Sequence, residues 1–271
     1  MKKFLFKIFT FLIILIIIST FIWIFNYTNE PIIEIKEKIL ILGDSHTECA
    51  INDTIFTNSY NYSQSSEPFI YSYVKLINIA SASKIDTLII SVSPVSIGGK
   101  GERLHIKTNK LLYRFPWEDL MFLFHHNPLA IGYSSNIFDI RANANNVGGY
   151  LYLDRFKLQK DLALRKTKTL DPCIPHEAQL LYLDKIVTYC RSKSIQLIFI
   201  NTPMYHAERF YNMNNFYKVI EEKYNDVTFW DYGNYVLPDS CYGDVGHLNY
   251  IGAKEFSIML QEKVRKKKFN L

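Results

Sequence analysis

The stretch KILILGDSH, residues 38–46, decides the fold of this chain. Its four consecutive apolar residues, 39–42, predict a buried strand, and Gly43 then lets the backbone turn sharply. A short apolar run of this kind is typical of a parallel sheet that is covered on both faces. Ser45 therefore stands just beyond the carboxyl end of a strand, where ligands of open parallel sheets bind.

Working outward, further apolar runs predict strands over residues 86–92 and 195–200, and a weaker one over 227–230. Helical patterns lie between them, over residues 68–80, 176–193, 207–224 and 250–266. Strands that alternate with helices form a parallel sheet with helices on both faces. We therefore expect an α/β fold, a three-layer α/β/α sandwich around a central parallel sheet.

One segment does not follow this alternation. Residues 97–172 have two glycine pairs and no clean hydrophobic period, and we interpret them as a partly helical insertion beside the active face. The expected organisation is an amino-terminal anchor over residues 1–25, a spacer over 26–37 and one domain over 38–271.

The anchor is expected from residues 8–25, of which fifteen of eighteen are apolar. At about 1.5 Å per residue this run spans about 27 Å, close to the roughly 30 Å hydrocarbon core of a bilayer. A cleaved signal peptide is the alternative, but its apolar run is shorter and ends at small residues. Three lysines precede the run, so the positive-inside rule predicts a single-pass protein whose domain is periplasmic or extracellular.

The positive charge of the chain lies at its ends. The formal net charge is +5, but eight positive charges fall in residues 2–7 and 263–268, so residues 8–262 carry −3. This distribution excludes a basic groove for a nucleic acid backbone, and we expect no nucleic acid partner. The run at 263–268 is typical of a solvated helix end, with contact to anionic lipid or glycan as the alternative.

The sequence predicts no metal and no cofactor. The four cysteines lie too far apart for a CxxC site and are too few for a disulfide scaffold, so their pairing stays open. Cys49 is more typical of packing under the Ser45 segment than of a second nucleophile. His125 and His126 are adjacent, so their side chains point apart, and neither has a carboxylate or cysteine at ligand spacing.

A second motif, DVGHLN at residues 244–249, lies just before the last predicted helix. Asp244 precedes His247 by three residues, so in a turn its carboxylate can hold Nδ1 of the imidazole and leave Nε2 free to act as a base. Asn249 is placed to cap the following helix. Each motif alone is common by chance, whereas the pair, one at each end of the domain, is much more specific.

Gly-Asp-Ser near the start of the domain and Asp-x-x-His-Leu-Asn near its end resemble blocks I and V of the SGNH, or GDSL-type, hydrolases. The resemblance covers residues 38–266 and implies an SGNH-hydrolase-like, flavodoxin-like fold. It implies that Ser45 is the nucleophile, that His247 is the general base and acid, and that Asp244 orients His247. Asp44 is expected to brace the nucleophile loop by hydrogen bonds.

The middle blocks of the family supply the oxyanion hole, and here this chain departs from the pattern. Ser66 stands where the second block usually ends in a glycine, and its backbone N–H can still donate. The third block usually supplies an asparagine side chain, which is missing. Its loss costs about 2.7 to 4 kcal/mol of transition-state stabilisation unless another group replaces it, and the candidates are the hydroxyls of Ser93 and Ser96.

The loop after the third predicted strand contains Tyr205 and His206 and follows a Thr-Pro pair that family members often show. Because this loop reaches the same edge of the sheet, substrate contact by Tyr205 or His206 is one interpretation. An ordinary strand-to-helix loop is the other.

The resemblance and the expected location together imply an esterase that removes acyl groups, most often acetyl, from an acylated carbohydrate of the surface or cell wall. An O-acyltransferase with the same triad is the first alternative, and family members of this kind also occur as partners of membrane acyltransferases. A catalytically weak glycan-binding or assembly module is the second alternative, motivated by the missing third-block asparagine.

Overall fold

The computed structural model describes residues 2–29, 33–98, 114–126, 148–165 and 169–269. The strands in these ranges are β1 (Ile39–Leu42), β2 (Ser59–Asn61), β3 (Thr87–Ser91), β4 (Gln196–Asn201) and β5 (Thr228–Asp231). The α-helices are α1 (Lys2–Asn29), α2 (Ser45–Ala50), α3 (Phe69–Ala82), α4 (Pro94–Gly98), α5 (Trp117–His126), α6 (Leu158–Arg165), α7 (Glu177–Ser192), α8 (Met213–Lys223) and α9 (Tyr250–Phe269). Short 3₁₀ turns span Ala207–Arg209 and Asp239–Cys241.

Within the described ranges the five strands form one parallel sheet in the order β2-β1-β3-β4-β5. This is the strand order of flavodoxin-like folds, in which the order reverses between β1 and β3 and ligands bind beyond the carboxyl ends of the strands. The predicted α/β architecture with a central parallel sheet is confirmed.

Alternation along the strands divides the core into two layers. On β1, Leu40 and Leu42 pack against one face of the sheet, which α3, α7 and α8 cover. Ile41, between them, packs against the other face together with Phe256 and Leu260 of α9. The sheet is therefore buried on both sides, as the continuous apolar runs predicted, and the molecule is a three-layer α/β/α sandwich.

The prediction of a single helix over residues 207–224 is wrong in its first part. The chain forms a 3₁₀ turn there, and Tyr211 then pairs with Asp171 in an isolated bridge. Helix α8 begins only at Met213, because the side chain of Asn212 accepts a hydrogen bond from the Asn215 N–H and caps the helix.

Helix α1 is long and apolar enough to cross a membrane. Its stretch Lys2–Phe25 is strongly apolar, and the most apolar part of that stretch is not buried against the rest of the protein. A signal sequence near the amino terminus has the same features, so the permanent anchor and the side of the membrane stay predictions. The helix continues to Asn29, beyond the predicted end of the anchor, and the Arg114 guanidinium lies 4.8 Å from the centre of the Tyr27 ring.

Of the predicted insertion at 97–172, residues 99–113, 127–147 and 166–168 lie outside the described residues. The described part that leads into α6 runs along the carboxyl edge of the sheet. Gly149 N–H donates to the Ser63 carbonyl (3.0 Å), Leu151 N–H to the Glu48 carbonyl (2.8 Å) and Lys157 N–H to the Gly243 carbonyl (2.8 Å). These bonds place residues 148–165 beside the loops that carry Ser45 and His247.

Candidate active site

The loop after β1 holds Ser45 at the carboxyl edge of the sheet. Gly43 has a φ of +145°, and a Cβ at this position would lie 2.3 Å from Cβ of Ser91, so only glycine fits. Asp44 then caps α2 by accepting a hydrogen bond from the His46 N–H (3.0 Å). Ser45 is the first residue of α2, and its position is fixed by the turn before it and the cap beside it.

Ser45, His247 and Asp244 form a continuous hydrogen-bonded chain. Oγ of Ser45 lies 2.8 Å from Nε2 of His247, and Nδ1 of His247 lies 2.7 Å from Oδ1 of Asp244. With Asp244 ionised, Nδ1 donates to the carboxylate, which leaves Nε2 to accept the hydroxyl proton of Ser45. Residues from the two ends of the domain thus meet with the spacing that nucleophilic catalysis needs.

The carboxylate of Asp244 is held ionised by several donors. Its Oδ1 also accepts the N–H groups of Gly246 (3.0 Å) and His247 (3.1 Å), and its Oδ2 accepts from Nη1 of Arg155 (2.8 Å). Burial alone would raise the pKa of Asp244, but the His247 imidazole, the Gly246 N–H and the Arg155 guanidinium lower the pKa to about 2. The Arg155 contact was not predicted, because Arg155 lies in the segment without a clear hydrophobic period.

A serine after the first strand, bound to an Asp-x-x-His pair before the last helix of a 2-1-3-4-5 parallel sheet, is the arrangement that the sequence resemblance implied. The chain has the fold of an SGNH hydrolase. The resemblance first seen in blocks I and V is therefore confirmed at the level of the fold.

Comparisons with known proteins give the following likenesses. A protein-family model matches residues 144–269. None of the curated proteins matches the chain. Solved structures do match, and one is a GDSL-like lipase from Bacteroides thetaiotaomicron, with 11% identity, a TM-score of 0.42, and coverage of 86% of this chain and 90% of that chain.

Two other similar structures have comparable identity. A candidate acylhydrolase from Bacteroides fragilis has 12% identity and a TM-score of 0.42, over 89% of this chain and 93% of that chain. A candidate platelet activating factor from Streptococcus pneumoniae has 12% identity and a TM-score of 0.47, over 95% of this chain and 98% of that chain.

The oxyanion candidates differ in where they lie. Ser66 lines a cavity of about 460 Å³ together with Ser45 and His247. Its φ is +62°, a left-handed conformation that glycine adopts without strain, as expected for the position of the second-block glycine. A backbone conformation that suits glycine thus occurs where the resemblance places a glycine, although the residue is a serine.

Ser93 and Ser96 are not among the residues that line this cavity, and the idea that one of their hydroxyls replaces the third-block asparagine stays a prediction. Oγ of Ser96 accepts from the Ser93 N–H (2.8 Å), and Oγ of Ser93 accepts from the Ser96 N–H (3.1 Å). At the start of α4, each side chain therefore accepts a hydrogen bond from the backbone of the other residue. Val95, between them, is the residue of this loop that lines the cavity.

Tyr205 and His206 lie outside the Ser45 cavity and line a neighbouring one of about 310 Å³. The Tyr205 ring packs edge-on against Tyr242, with centroids 5.2 Å apart, and its N–H donates to the Val245 carbonyl (3.0 Å). The contact thus supports the loop that carries Asp244 and His247. Direct substrate contact by Tyr205 or His206 at Ser45 is not what this structure favours.

The four cysteines are free thiols, and all are buried. Burial raises the pKa of Cys49 to about 12, with a further contribution from Glu48, so this thiol is not a competing nucleophile at neutral pH. The described residues include no group of three or more His, Cys, Asp or Glu side chains placed to hold a metal ion.

Proposed function

We propose that this protein is a serine esterase that removes O-acyl groups, acetyl above all, from a surface or cell-wall glycan. The observation that carries the proposal is the chain of hydrogen bonds from Ser45 through His247 to Asp244 at the mouth of one cavity. The apolar helix α1 supports a membrane-anchored protein with the catalytic domain outside the cytoplasm.

The first half of the reaction forms an acyl-enzyme. Nε2 of His247 takes the proton of Ser45 as Oγ attacks the ester carbonyl, and Asp244 stabilises the imidazolium that forms. The backbone N–H groups of Ser45 and Ser66 are the candidate donors to the tetrahedral oxyanion. The carbon–oxygen bond to the sugar then breaks, and the sugar oxygen leaves with the proton from His247.

The second half of the reaction releases the acyl group. His247 takes a proton from water, the resulting hydroxide equivalent attacks the acyl carbonyl, and Ser45 leaves with the proton that His247 returns. The products are a carboxylic acid and a free sugar hydroxyl. If a sugar hydroxyl replaces water in this step, the same residues perform an O-acyl transfer.

The proposal is tested on the full chain in detergent by reaction with a fluorophosphonate, followed by intact mass measurement. We expect one adduct on the wild type and none on Ser45→Ala or His247→Ala. Ser192→Ala is the matched control, because Ser192 is exposed at the end of α7 and its hydroxyl binds the Tyr189 carbonyl. A folded wild type without an adduct would contradict the proposal and favour a glycan-binding module.

Acetylated sugars then separate hydrolysis from transfer. The wild type is incubated with an acetylated sugar, with and without an unacetylated glycan acceptor, and free acetate and acetylated acceptor are measured. Acetate release that the acceptor does not suppress supports the esterase. Formation of acetylated acceptor without release of free acetate supports the acyltransferase instead.

A further inference from the structure

Cationic side chains form one wall of the cavity that contains Ser45. The lining residues include Arg155, Lys157, Lys160 and Arg165, and all four come from one continuous segment that consists of α6 and the three residues before it. The acidic side chains that line the cavity are Asp161 and Asp244. The wall therefore carries more positive than negative charge.

Two of the four cations are already neutralised. Arg155 pairs with Asp244 (2.8 Å), and Arg165 pairs with Asp161 (3.3 Å). Lys157 and Lys160 are exposed, and neither forms an ion pair with any other described residue. Among the described residues, the cavity that contains Ser45 is thus lined by two ammonium groups that have no carboxylate partner.

This charge is not a consequence of a generally basic protein. Outside the two ends of the chain the net charge is −3, so the positive charge at the cavity is local. A cleft lined by one sign of charge concentrates ligands of the opposite sign. A neutral acylated sugar gains nothing from Lys157 and Lys160, whereas a negatively charged one does.

The position of the cavity in the domain favours a glycan over a membrane phospholipid as the negatively charged ligand. The chain enters β1 at Ile39, and Ser45 follows the opposite end of the same strand. The apolar helix α1 therefore connects to the domain at the amino edge of the sheet, while the cavity lies at the carboxyl edge.

Building on the proposed esterase function, we propose that the substrate is an acyl ester of an anionic glycan. A carboxylate or phosphate group of the glycan binds Lys157 and Lys160 while the ester carbonyl lies at Ser45. Hydrolysis breaks the ester bond with one water, as described above, and the anionic group takes no part in the chemistry. The segment that binds it is thus a specificity determinant.

The test compares acetyl esters that differ in charge, using the full chain in detergent. The probes are O-acetyl methyl glucoside, which is neutral, O-acetyl methyl glucuronide, which carries a carboxylate, and O-acetyl glycerol phosphate, which carries a phosphate. Phosphatidylglycerol vesicles are a fourth probe. The Lys157→Gln/Lys160→Gln double variant is compared with Lys84→Gln/Lys193→Gln, which removes two exposed lysines that precede β3 and β4 at the opposite edge.

We expect kcat/KM for at least one of the two anionic acetyl esters to fall about tenfold in the Lys157/Lys160 variant, as two exposed ion pairs allow, and to fall with added salt. The neutral ester and the control variant should be unaffected. The carboxylate and phosphate probes show which anion the site prefers.

Other outcomes contradict the inference in distinguishable ways. Equal rates on neutral and anionic esters, or an anionic preference that survives in the Lys157/Lys160 variant, overturn the anionic-glycan inference and leave the esterase standing. If the vesicles are hydrolysed faster than every acetyl ester, the inference of a glycan substrate is overturned in favour of a phospholipid substrate. A wild type that releases acetate from no probe overturns the esterase proposal and this inference with it.

Discussion

The imidazole rings of His46 and His247 lie nearly parallel, with their centroids 5.1 Å apart and their planes inclined by 26°. His46 is buried, and its Nδ1 lies 3.0 Å from Oδ1 of Asp44, which also accepts from the hydroxyl of Ser91 (3.2 Å). A buried and hydrogen-bonded ring thus forms one boundary of the space that His247 occupies. We infer that His46 helps to aim Nε2 of His247 at Ser45.

Removal of this ring should lower the rate without weakening substrate binding. We expect His46→Ala to reduce kcat by about 10- to 100-fold, because a small displacement of a catalytic group is costly, with KM unchanged. His46→Phe retains a ring face against His247 and should keep more of the activity. Steady-state kinetics on an acetyl ester measure kcat and KM of both variants. Urea midpoints of the same proteins show whether a lower rate comes from a loss of stability instead of a displaced His247. Equal losses in the two variants would argue against the stacking role.

Asp244→Asn tests the orienting carboxylate. Asparagine has nearly the same shape but cannot stabilise an imidazolium, and it can hold His247 in the wrong tautomer. By analogy with the serine triad we expect kcat to fall by about 10⁴-fold. The matched comparison is Arg155→Met, which removes the guanidinium donor 2.8 Å from Oδ2 of Asp244 but leaves the carboxylate in place, and it should cost much less. A mild effect of Asp244→Asn would exclude Asp244 as the orienting residue.

The same carboxylate makes folding stability depend on acid pH. The ordinary pKa of an aspartate side chain is 3.8, and the pKa of Asp244 in the folded protein is about 2. The pKa of Asp44 is also lowered, because the interactions with His46 outweigh the effect of burial. A lowered carboxyl pKa adds stability above the unfolded value, and this stability is lost as the pH falls from about 4 towards 2. Urea midpoints measured between pH 7 and pH 3 should fall, and Asp244→Asn should flatten part of that slope.

Most of the sheet could be predicted because its strands are continuous apolar runs that are buried on both faces. The exception is β2, Ser59–Asn61, which is short and polar and forms a strand only by pairing with Ile39–Ile41 of β1. No local pattern in residues 59–61 indicates that pairing. Likewise the helix predicted over 207–224 ends close to where expected, but its start depends on the bridge between Tyr211 and Asp171, which are far apart in sequence.

The site was predictable to the extent that its chemistry lies in short motifs. The motif with Ser45 directly follows a clearly predicted strand, and the motif with Asp244 and His247 directly precedes a clearly predicted helix. The topology of the sheet therefore brings the two motifs together. The sequence did not show that the hydroxyls of Ser93 and Ser96 accept hydrogen bonds from each other's backbone N–H at the start of α4. The charged wall was not predicted because residues 155–165 follow no strand and lie in the segment without a clear hydrophobic period.

Ser66 separates the role of a backbone N–H from that of a side chain. If only the N–H matters, Ser66→Gly and Ser66→Ala should both keep their esterase activity. Glycine adopts the φ of +62° without strain, so Ser66→Gly should be more stable than Ser66→Ala by about 1 kcal/mol. Chemical denaturation and kcat/KM on one acetyl ester measure both effects. A large loss of activity in both variants would instead assign a function to the Ser66 hydroxyl.

The residue after Ser66 belongs to a buried ion pair. Glu67 and Lys75 have fully buried side chains in direct contact, Ser72 donates to Glu67 (2.7 Å), and Lys75 donates to the Tyr62 carbonyl (2.8 Å). Burial raises the pKa of Glu67 to about 7 despite the nearby ammonium group, and burial lowers the pKa of Lys75. Neither side chain is exposed to water in the folded protein, so each charge depends on its partner.

Lys75→Met should therefore be strongly destabilising, by about 3 to 5 kcal/mol, because it leaves the carboxyl of Glu67 buried without its partner. The double variant Glu67→Gln/Lys75→Met removes both charges at similar volume and should recover a large part of this loss. Urea unfolding of the wild type, Lys75→Met and the double variant is compared at pH 8. At this pH the carboxyl of Glu67 is ionised in the wild type. If the double variant is no more stable than Lys75→Met, the cost lies in packing around the Lys75 stem and not in the unpaired charge.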